Sequence, residues 1–443
     1  MSDYMFMLES HLSVPQNKVV SLVQEAATSA GMGVFLTGGA MRDMLGGFHI
    51  RDLDFAIEGR ALALLKPLTA AGARIGSQDD RRKSAELVFP GGVTAQIAMA
   101  RRETRSRTGK LQIAPGTIQE DLRWRDFTVN SIALALNRSS RGLLIDPNNG
   151  LADLERRELR TLQSTTFYDD PVRLLRAARL RLRLGFSFDE KTAAQYANAR
   201  EAGTQASIAV EELGRELLAL GREPAPSEVV RVLDQDGLMT LFSPALQGPK
   251  LNLAALAKLE RARRLFPPEV ESAAADPAPF LWVLTEKLTP KEKSALIRTT
   301  AMTRSATAAW QALPARATKL AAALQKADLK RPSLLYAVLA QVPAPDLLFL
   351  LYHSSIRIVH DRAKNYLQKY LPLAQEVTPG EVEAALAAEG RPADPQSSEF
   401  RKKYQALIAD RVDGKTRKPE PPPPPPLDPR TRAAVARAAR GRA

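Results

Sequence analysis

The 443-residue chain contains no cysteine. That removes disulfide frameworks and thiolate zinc sites, excludes the common secreted scaffolds and zinc fingers, and makes a reducing cytoplasmic setting the expectation. Histidine is scarce as well, with four residues at positions 11, 49, 353 and 360. The His360-Asp361 pair therefore lacks the company that a metal-dependent phosphohydrolase centre collects, and a helix-surface histidine is expected there instead. No apolar run approaches the roughly 20 residues of a membrane-spanning helix. Met1 to Ser10 carries Asp3 and Glu9 and has no basic start, so neither export nor membrane insertion is expected.

Against these absences stand a 44% hydrophobic content, enough for several packed domains, and an excess of 63 Lys and Arg over 49 Asp and Glu. The resulting net charge of +14 points to a polyanionic partner, either nucleic acid or an acidic membrane surface. Periodicity divides the chain into an α+β head over residues 1–160 and helical sequence after it. In the head, Val34 to Thr37 reads as a short buried strand ending in Gly38-Gly39, with a helix starting over Ala40 to Leu45. Arg51 to Ile57 alternates like a half-buried strand, and Glu86–Phe89 and Val93–Ala100 form a hairpin around Pro90-Gly91-Gly92. Pro224, Pro226, Pro244 and Pro249 punctuate short helices, while Pro267, Pro268, Pro277 and Pro279 suggest a second loop cluster. Further segments are expected at 161–225, 226–345 and 346–420. Residues 421–443 are a six-proline run followed by a basic stretch with a net charge of +4.

Four clusters carry chemistry. Asp52 and Asp54, at i and i+2 on a strand, project from one face as paired hard oxygen ligands of the kind Mg²⁺ uses to bridge to triphosphate. Alone they would be two solvated acids, but Gly38-Gly39-x-x-Arg42-Asp43 lies just upstream, where bare backbone, helix-start amides and a guanidinium can meet phosphate. Arg123-Trp124-Arg125-Asp126-Phe127-Thr128-Val129-Asn130 sets basic groups beside an acid suited to sugar hydroxyls; its plainer reading has Asp126 capping a helix over the apolar Phe127 to Leu136 stretch. In Asp169-Asp170-Pro171-Val172-Arg173, continued by Arg176 and Arg179, Pro171 fits an early helical position. Asp170 and the three arginines recur every third residue along one side, able to offer donors and acceptors to a base edge or simply to be a solvated face.

In this order and spacing the clusters resemble the bacterial tRNA nucleotidyltransferase and poly(A) polymerase family, the class II CCA-adding enzymes. The resemblance runs from about Val34 to Gly185 and takes in Ile145-Asp146-Pro147, Gly150-Leu151 and Leu180 to Phe186, with a weaker echo at Glu211 to Leu217 and Asp236 to Leu241. It implies a small mixed β-sheet nucleotidyltransferase head followed by an all-helical neck, body and tail that grip tRNA. It also implies template-independent addition of CCA, or part of it, to tRNA 3′ ends from CTP and ATP. Asp52 and Asp54 would then hold catalytic Mg²⁺ in a two-metal site, with Mn²⁺ able to substitute. Gly38, Gly39 and Arg42 would meet the triphosphate, Arg125, Asp126 and Asn130 the nucleotide and ribose, and Asp170 and Arg173 the Watson–Crick edge, supported by Arg176 and Arg179. The sequence departs from the family pattern where Gln96 stands for a third acid, Asp169 for a Glu, Trp124 for an Arg and Arg105 for an aromatic residue. Poly(A) polymerase and a catalytically weakened RNA-binding homologue are the rival expectations.

Overall fold

The short apolar run Val34-Phe35-Leu36 makes β1 (Gly33–Thr37) a strand buried on both faces. The structure, a computed structural model, describes residues 3–105, 111–267, 270 and 274–416. The Pro421–Ala443 extension, Pro268 and the side chain of Arg105 lie outside the described residues. Around β1 are arranged β2 (Leu53–Glu58), β3 (Arg74–Asp79), β4 (Ser84–Val88), β5 (Thr94–Met99), β8 (Ala133–Ala135) and β9 (Leu144–Ile145). Their order is β3-β4-β5-β2-β1-β8-β9. β2 and β5 run parallel and the other neighbours antiparallel, which makes the sheet mixed. β6 (Arg101–Arg105) and β7 (Leu111–Pro115) form a separate two-stranded ribbon. The expected hairpin is β4 with β5, closed by Phe89 N donating to Val93 O at 2.8 Å.

Register places the chemistry. Phe35 lies opposite Ala56 and Ala135, and these three pack with Ile118 and Leu122 of α5 (Ile118–Leu122). Further along the same face Thr37 pairs with Asp54, Asp54 with Gln96 and Gln96 with Glu86. One half of this face is thus apolar and covered by a helix, while the other half is a polar row. Residues 51–57 differ from the half-buried strand expected of them: the ladder begins at Leu53, and Phe55, Ala56 and Ile57 are all buried because β2 is an interior strand. Asp52 precedes the ladder and remains exposed.

The helix expected over Phe127 to Leu136 does not form. Thr128–Asn130 is a single 3₁₀ turn, and Ala133–Ala135 joins the sheet as β8. An apolar run of this length fits a buried strand as well as a helix, and pairing with β1 decides it. The turn is locked by α6 (Gly150–Arg156): Asp146 accepts from Gly150 N and Leu151 N at 2.8 and 2.9 Å, and Asp153 accepts from Thr128 Oγ1 at 2.7 Å. Among the described residues, the helical sequence that follows is interrupted where Glu158–Leu159 pairs in parallel with Ser187–Phe188.

In α8 (Val172–Leu184), leucines, alanines and Val172 are buried along one side, and Gly185 ends the helix at φ 66°. It packs against α10 (Val210–Gly221) and α11 (Pro226–Gln235). Pro277 and Pro279 are not loop residues but open the helix Pro277–Thr285, where the first-turn amides have no intrahelical acceptor to lose. By contacts the chain forms two compact units, one through Ala317 together with Ala344–His353, the other Thr318–Pro343 with Ser354 onward. The second has its own core of Ala374, Val377, Ile408 and Val412. Among the described residues no single helix is long and apolar enough to cross a membrane.

A Cβ added at Gly150 would lie 2.3 Å from Thr128 O and 2.9 Å from Ile132 Cγ1. Gly150→Ala should therefore push the 128–130 turn off the sheet and destabilise the fold by about 2 kcal/mol, as overpacking of a tight contact does. Thermal unfolding would show it, and an unchanged Tm would mean that the turn yields freely.

Candidate active site

Strand β1 ends where helix α3 (Gly38–Leu45) begins, and the reversal is possible because Gly38 adopts φ 64°. A side chain there is excluded twice over: a Cβ would also come within 2.8 Å of Asp54 Oδ2. Asp54 Oδ2 accepts from Gly39 N at 3.0 Å, which brings the β2 carboxylate against the glycine turn. Arg125 completes this corner, lying beside Gly38 and donating to Thr37 Oγ1 at 3.1 Å and to Asp121 Oδ2 at 2.7 Å. Asp52 is joined from the neighbouring strand by Thr94, whose hydroxyl donates to its carboxylate. Burial pushes the Asp54 carboxyl up to about 6; Arg125 opposes the shift and the charge of Asp52 adds to it. A desolvated carboxylate beside a second one is a site short of positive charge.

Arg42 is placed differently from a phosphate ligand on an open surface. It is 4% exposed, donates through Nε and Nη2 to Asp43 Oδ1 at 2.9 and 2.7 Å, and through Nη1 to Asn130 Oδ1 at 2.7 Å. Its guanidinium lies under Gly39, since Nη2 would be 3.5 Å from a Cβ built there. From Asn130 the chain of bonds continues to Asp126 Oδ1 at 2.9 Å, and Asp126 Oδ2 takes Arg176 at 3.1 Å. Although burial works to raise the Asp126 pKa, Arg176 and Arg173 hold it down to about 2, so the carboxylate stays ionised. Asp126 also accepts from the amide of Phe127 at 2.9 Å, its one resemblance to the expected cap.

The arginines of α8 divide in their company. Arg176 and Arg179 pair with the buried Glu216 of α10, at 3.6 and 3.2 Å, and Arg179 reaches Glu223 at 2.7 Å. Arg173 donates to the backbone carbonyl of Trp124 at 3.4 Å, and its Nε lies 3.5 Å from Asp170 Oδ2. The sequence-predicted residues therefore fall into three linked groups: Gly38, Gly39, Asp52, Asp54 and Arg125 at the sheet; the buried Arg42, Asn130 and Asp126, continued by the half-buried Arg176 and Arg179, in a ladder; and Asp170 with Arg173 against the backbone of Trp124. Sequence reasoning missed the acids that hold these arginines. Asp43 takes Arg42 and also Arg183 at 2.5 Å, Asp121 takes Arg125, and Glu216 and Glu223 are buried. A signal existed for Glu216, which falls on the same helical stripe as Leu213, Leu217 and Leu220, where an acid needs a buried partner.

The donor set suits Mg²⁺. This ion takes one or two protein carboxylates and completes its shell with water and substrate phosphates, and Asp52 and Asp54 are two carboxylates with an exposed Gln96 in register beside Asp54. Among the described residues no group of three or more Asp, Glu, His or Cys is placed to hold a metal ion.

Residues 34–160 match the family described as the Poly A polymerase head domain. The chain is 34% identical over 271 residues to a CC-adding tRNA nucleotidyltransferase from Deinococcus radiodurans, a match covering 61% of this chain and 70% of that one. It is also 34% identical over 230 residues to an A-adding tRNA nucleotidyltransferase from Halalkalibacterium halodurans, covering 51% and 54% of the two chains. A Multifunctional CCA protein from Methylococcus capsulatus is 32% identical over 224 residues, covering 49% and 50%. Among solved structures, a CCA-adding enzyme in an apo form superposes with a TM-score of 0.51 over 99% of each chain at 24% identity, which establishes a shared fold.

The raised pKa of Asp54 carries a sign that can be checked. With a folded value of about 6 against 3.8 for the free group, ionisation opposes folding above pH 6, and the penalty disappears as pH falls towards 4. Without metal, Asp54→Asn should be more stable than the parent at pH 7.5 by at most about 3 kcal/mol. The gap should close between pH 6 and 4 in paired thermal melts. A variant less stable at every pH would show that Asp54 is favourably placed without a cation.

Proposed function

The chain belongs to the tRNA nucleotidyltransferase and poly(A) polymerase family, and from that premise we propose that it adds CCA, or part of it, to tRNA 3′ ends from CTP and ATP. The observation that carries this reading is the convergence of Asp54, the Gly38-Gly39 turn and Arg125 at one corner of the sheet. The reaction is in-line attack of the terminal 3′-hydroxyl of the RNA on the α-phosphate, with pyrophosphate leaving. The bare backbone at Gly38 and Gly39 leaves room for the triphosphate, and the Arg42 guanidinium beneath it adds positive potential without direct contact. Arg125 stands where it can neutralise phosphate oxygens, clamped by Asp121 so that little ordering is needed on binding. Asp126 is kept ionised to accept from sugar hydroxyls, and Asp170 with Arg173 present an acceptor and donors to a base edge. Asp52 and Asp54 would hold Mg²⁺, which supplies activation of the hydroxyl and screening of the charge that develops on the phosphate. Arg176 and Arg179, held by Glu216, support this arrangement from within by fixing α8. The helical segments beyond residue 160 would carry the tRNA as neck, body and tail.

The curated relatives split between CC-adding, A-adding and multifunctional CCA proteins. The product is therefore the experiment: tRNA ending before its CCA, incubated with CTP, ATP or both, should be extended by one to three nucleotides, and the length identifies the subclass. Asp52→Asn and Asp54→Asn should abolish extension while leaving tRNA binding intact, because the loss is confined to the metal-assisted transition state. Extension at parental rates in either variant would remove that residue from the chemistry.

Gln96 generates a second test. Its amide lies on the Asp54 side of β5 and brings no charge, so metal affinity should be lower than three carboxylates would provide. Gln96→Asp should lower the Mg²⁺ or Mn²⁺ concentration needed for half-maximal rate. It should also raise Mn²⁺ affinity in a direct binding titration. An unmoved metal requirement would place position 96 outside the metal shell.

A further inference from the structure

Asp52 is exposed and precedes the paired run of β2, which begins at Leu53, so the register that places Asp54 does not by itself place Asp52. The approach to the strand is held by side chains from elsewhere. Gln16, buried on the helix Val14–Ser29, donates to Ile50 O at 2.9 Å. The next residue, the half-buried Arg51, reaches the segment after α10. Its Nη1 donates to Arg222 O at 3.3 Å and lies 3.5 Å from Glu223 Oε2. Glu223 is 1% exposed and is fixed independently of Arg51. Its other oxygen, Oε1, takes Arg179 of α8 at 2.7 Å, its amide donates to Leu220 O at 3.1 Å, and its carbonyl accepts from Arg263 at 2.8 Å. One buried carboxylate therefore receives α8 on one oxygen and the approach to Asp52 on the other. A buried, immobile acid can order a half-buried arginine because little solvent screens the pair.

We propose that Arg51, anchored on Glu223, is a positioning residue that holds the Asp52 carboxylate ready for its metal ion. This role rests on the metal binding that the nucleotidyltransferase reading gives to Asp52. A ligand ordered before the ion arrives loses less conformational freedom on binding it, and outer-shell contacts that orient a ligating group raise metal affinity. Charge alone gives the opposite sign. A guanidinium next in sequence to a metal ligand repels a divalent cation, so by charge its removal would tighten binding. Positioning and repulsion are separable because they move metal affinity in opposite directions. Stability is separable too, since Glu223 keeps Arg179 when Arg51 is lost and no buried charge is left unpaired.

Mn²⁺ binding to the full chain without tRNA or nucleotide, followed by the paramagnetic resonance of the free ion, is a readout that does not depend on turnover. Arg51→Met keeps the aliphatic stem and should weaken Mn²⁺ about tenfold, the lower end of the loss found for outer-shell partners. The Mg²⁺ concentration for half-maximal tRNA extension should rise by a similar factor. Arg51→Lys should recover to within about threefold, since an ammonium still pairs with Glu223. In both variants the KM for CTP at saturating Mg²⁺ and the thermal melt should stay close to the parent's. Glu223→Gln should also weaken Mn²⁺, and adding Arg51→Met to it should weaken binding no further, because the two residues act as one unit. Tighter or unaltered Mn²⁺ binding in Arg51→Met overturns the positioning role, as does additive loss in the double variant. A raised KM for CTP with unmoved Mn²⁺ affinity overturns it as well and assigns Arg51 to phosphate contact. Should Glu223→Gln fail to fold, the two Arg51 variants decide alone. If the parent chain neither binds Mn²⁺ nor extends tRNA, the nucleotidyltransferase reading itself fails, a result distinct from a parent that binds Mn²⁺ no more tightly than Arg51→Met does.

Discussion

A largely buried ladder of ion pairs and hydrogen bonds connects the sheet to the helices behind it, and the placement of the other site residues depends on it. It begins at Asp43, shared by Arg42 and Arg183, and passes through Asn130 and Asp126 to Arg176, Glu216, Arg179 and Glu223. Arg263 extends it by donating to the backbone carbonyl of Glu223 at 2.8 Å, and Arg51 reaches the Glu223 carboxylate at 3.5 Å. Charges removed from water are tolerable only when their partners are satisfied, and removing one member of such a pair costs about 3–5 kcal/mol. The consequence is geometric. α8 cannot slide along the sheet without leaving an ion unpaired, so the residues at its start, Asp170 and Arg173, are held against the turn at Trp124.

The same constraint separates two kinds of arginine that look alike in composition. Arg176 and Arg179 lie along one side of α8 and are consumed by Glu216 and Glu223 within the protein. Arg173, one turn earlier, donates to a backbone carbonyl, lies at the edge of an ion pair with Asp170 and acts on Asp126 by charge without a hydrogen bond to it, so it retains donor capacity for a ligand. The basic character of the chain therefore overstates what α8 shows to solvent. Arg42 belongs to the consumed group as well, and its influence at the glycine turn is electrostatic.

At the sheet corner the balance runs the other way. Asp54 is half-buried where Gly38 and Gly39 crowd it, and Arg125 does not fully offset the desolvation of its charge, as its raised pKa records. Local stability is given up at the position where a cation would restore it, a common condition of sites that bind charged ligands. The polar row of Asp54, Gln96 and Glu86 continues this half of the face across three strands, opposite in character to the alanine and phenylalanine half under α5.

Much of this was legible in the sequence because it is local. The glycine pair after an apolar strand, the Asp-x-Asp, the hairpin around Pro90-Gly91-Gly92 and the spacing of arginines after Pro171 depend on neighbours within a few residues, and periodicity alone separates a mixed head from helical sequence after it. The residues Phe127 to Leu136 were not legible, since an apolar run suits helix or strand equally and only pairing with β1 chose between them. Nor could the sequence show that Arg42 is buried, that Glu216 claims two arginines, or that the backbone carbonyl of Trp124 receives Arg173. These depend on which segments, separated by tens of residues, come to lie within hydrogen-bonding distance. The sequence by itself determined the chemical repertoire, its order along the chain and the α+β class. The tertiary structure decided which charges are spent on one another and which remain for a ligand, because desolvation and ion pairing act only between groups that packing has already brought together.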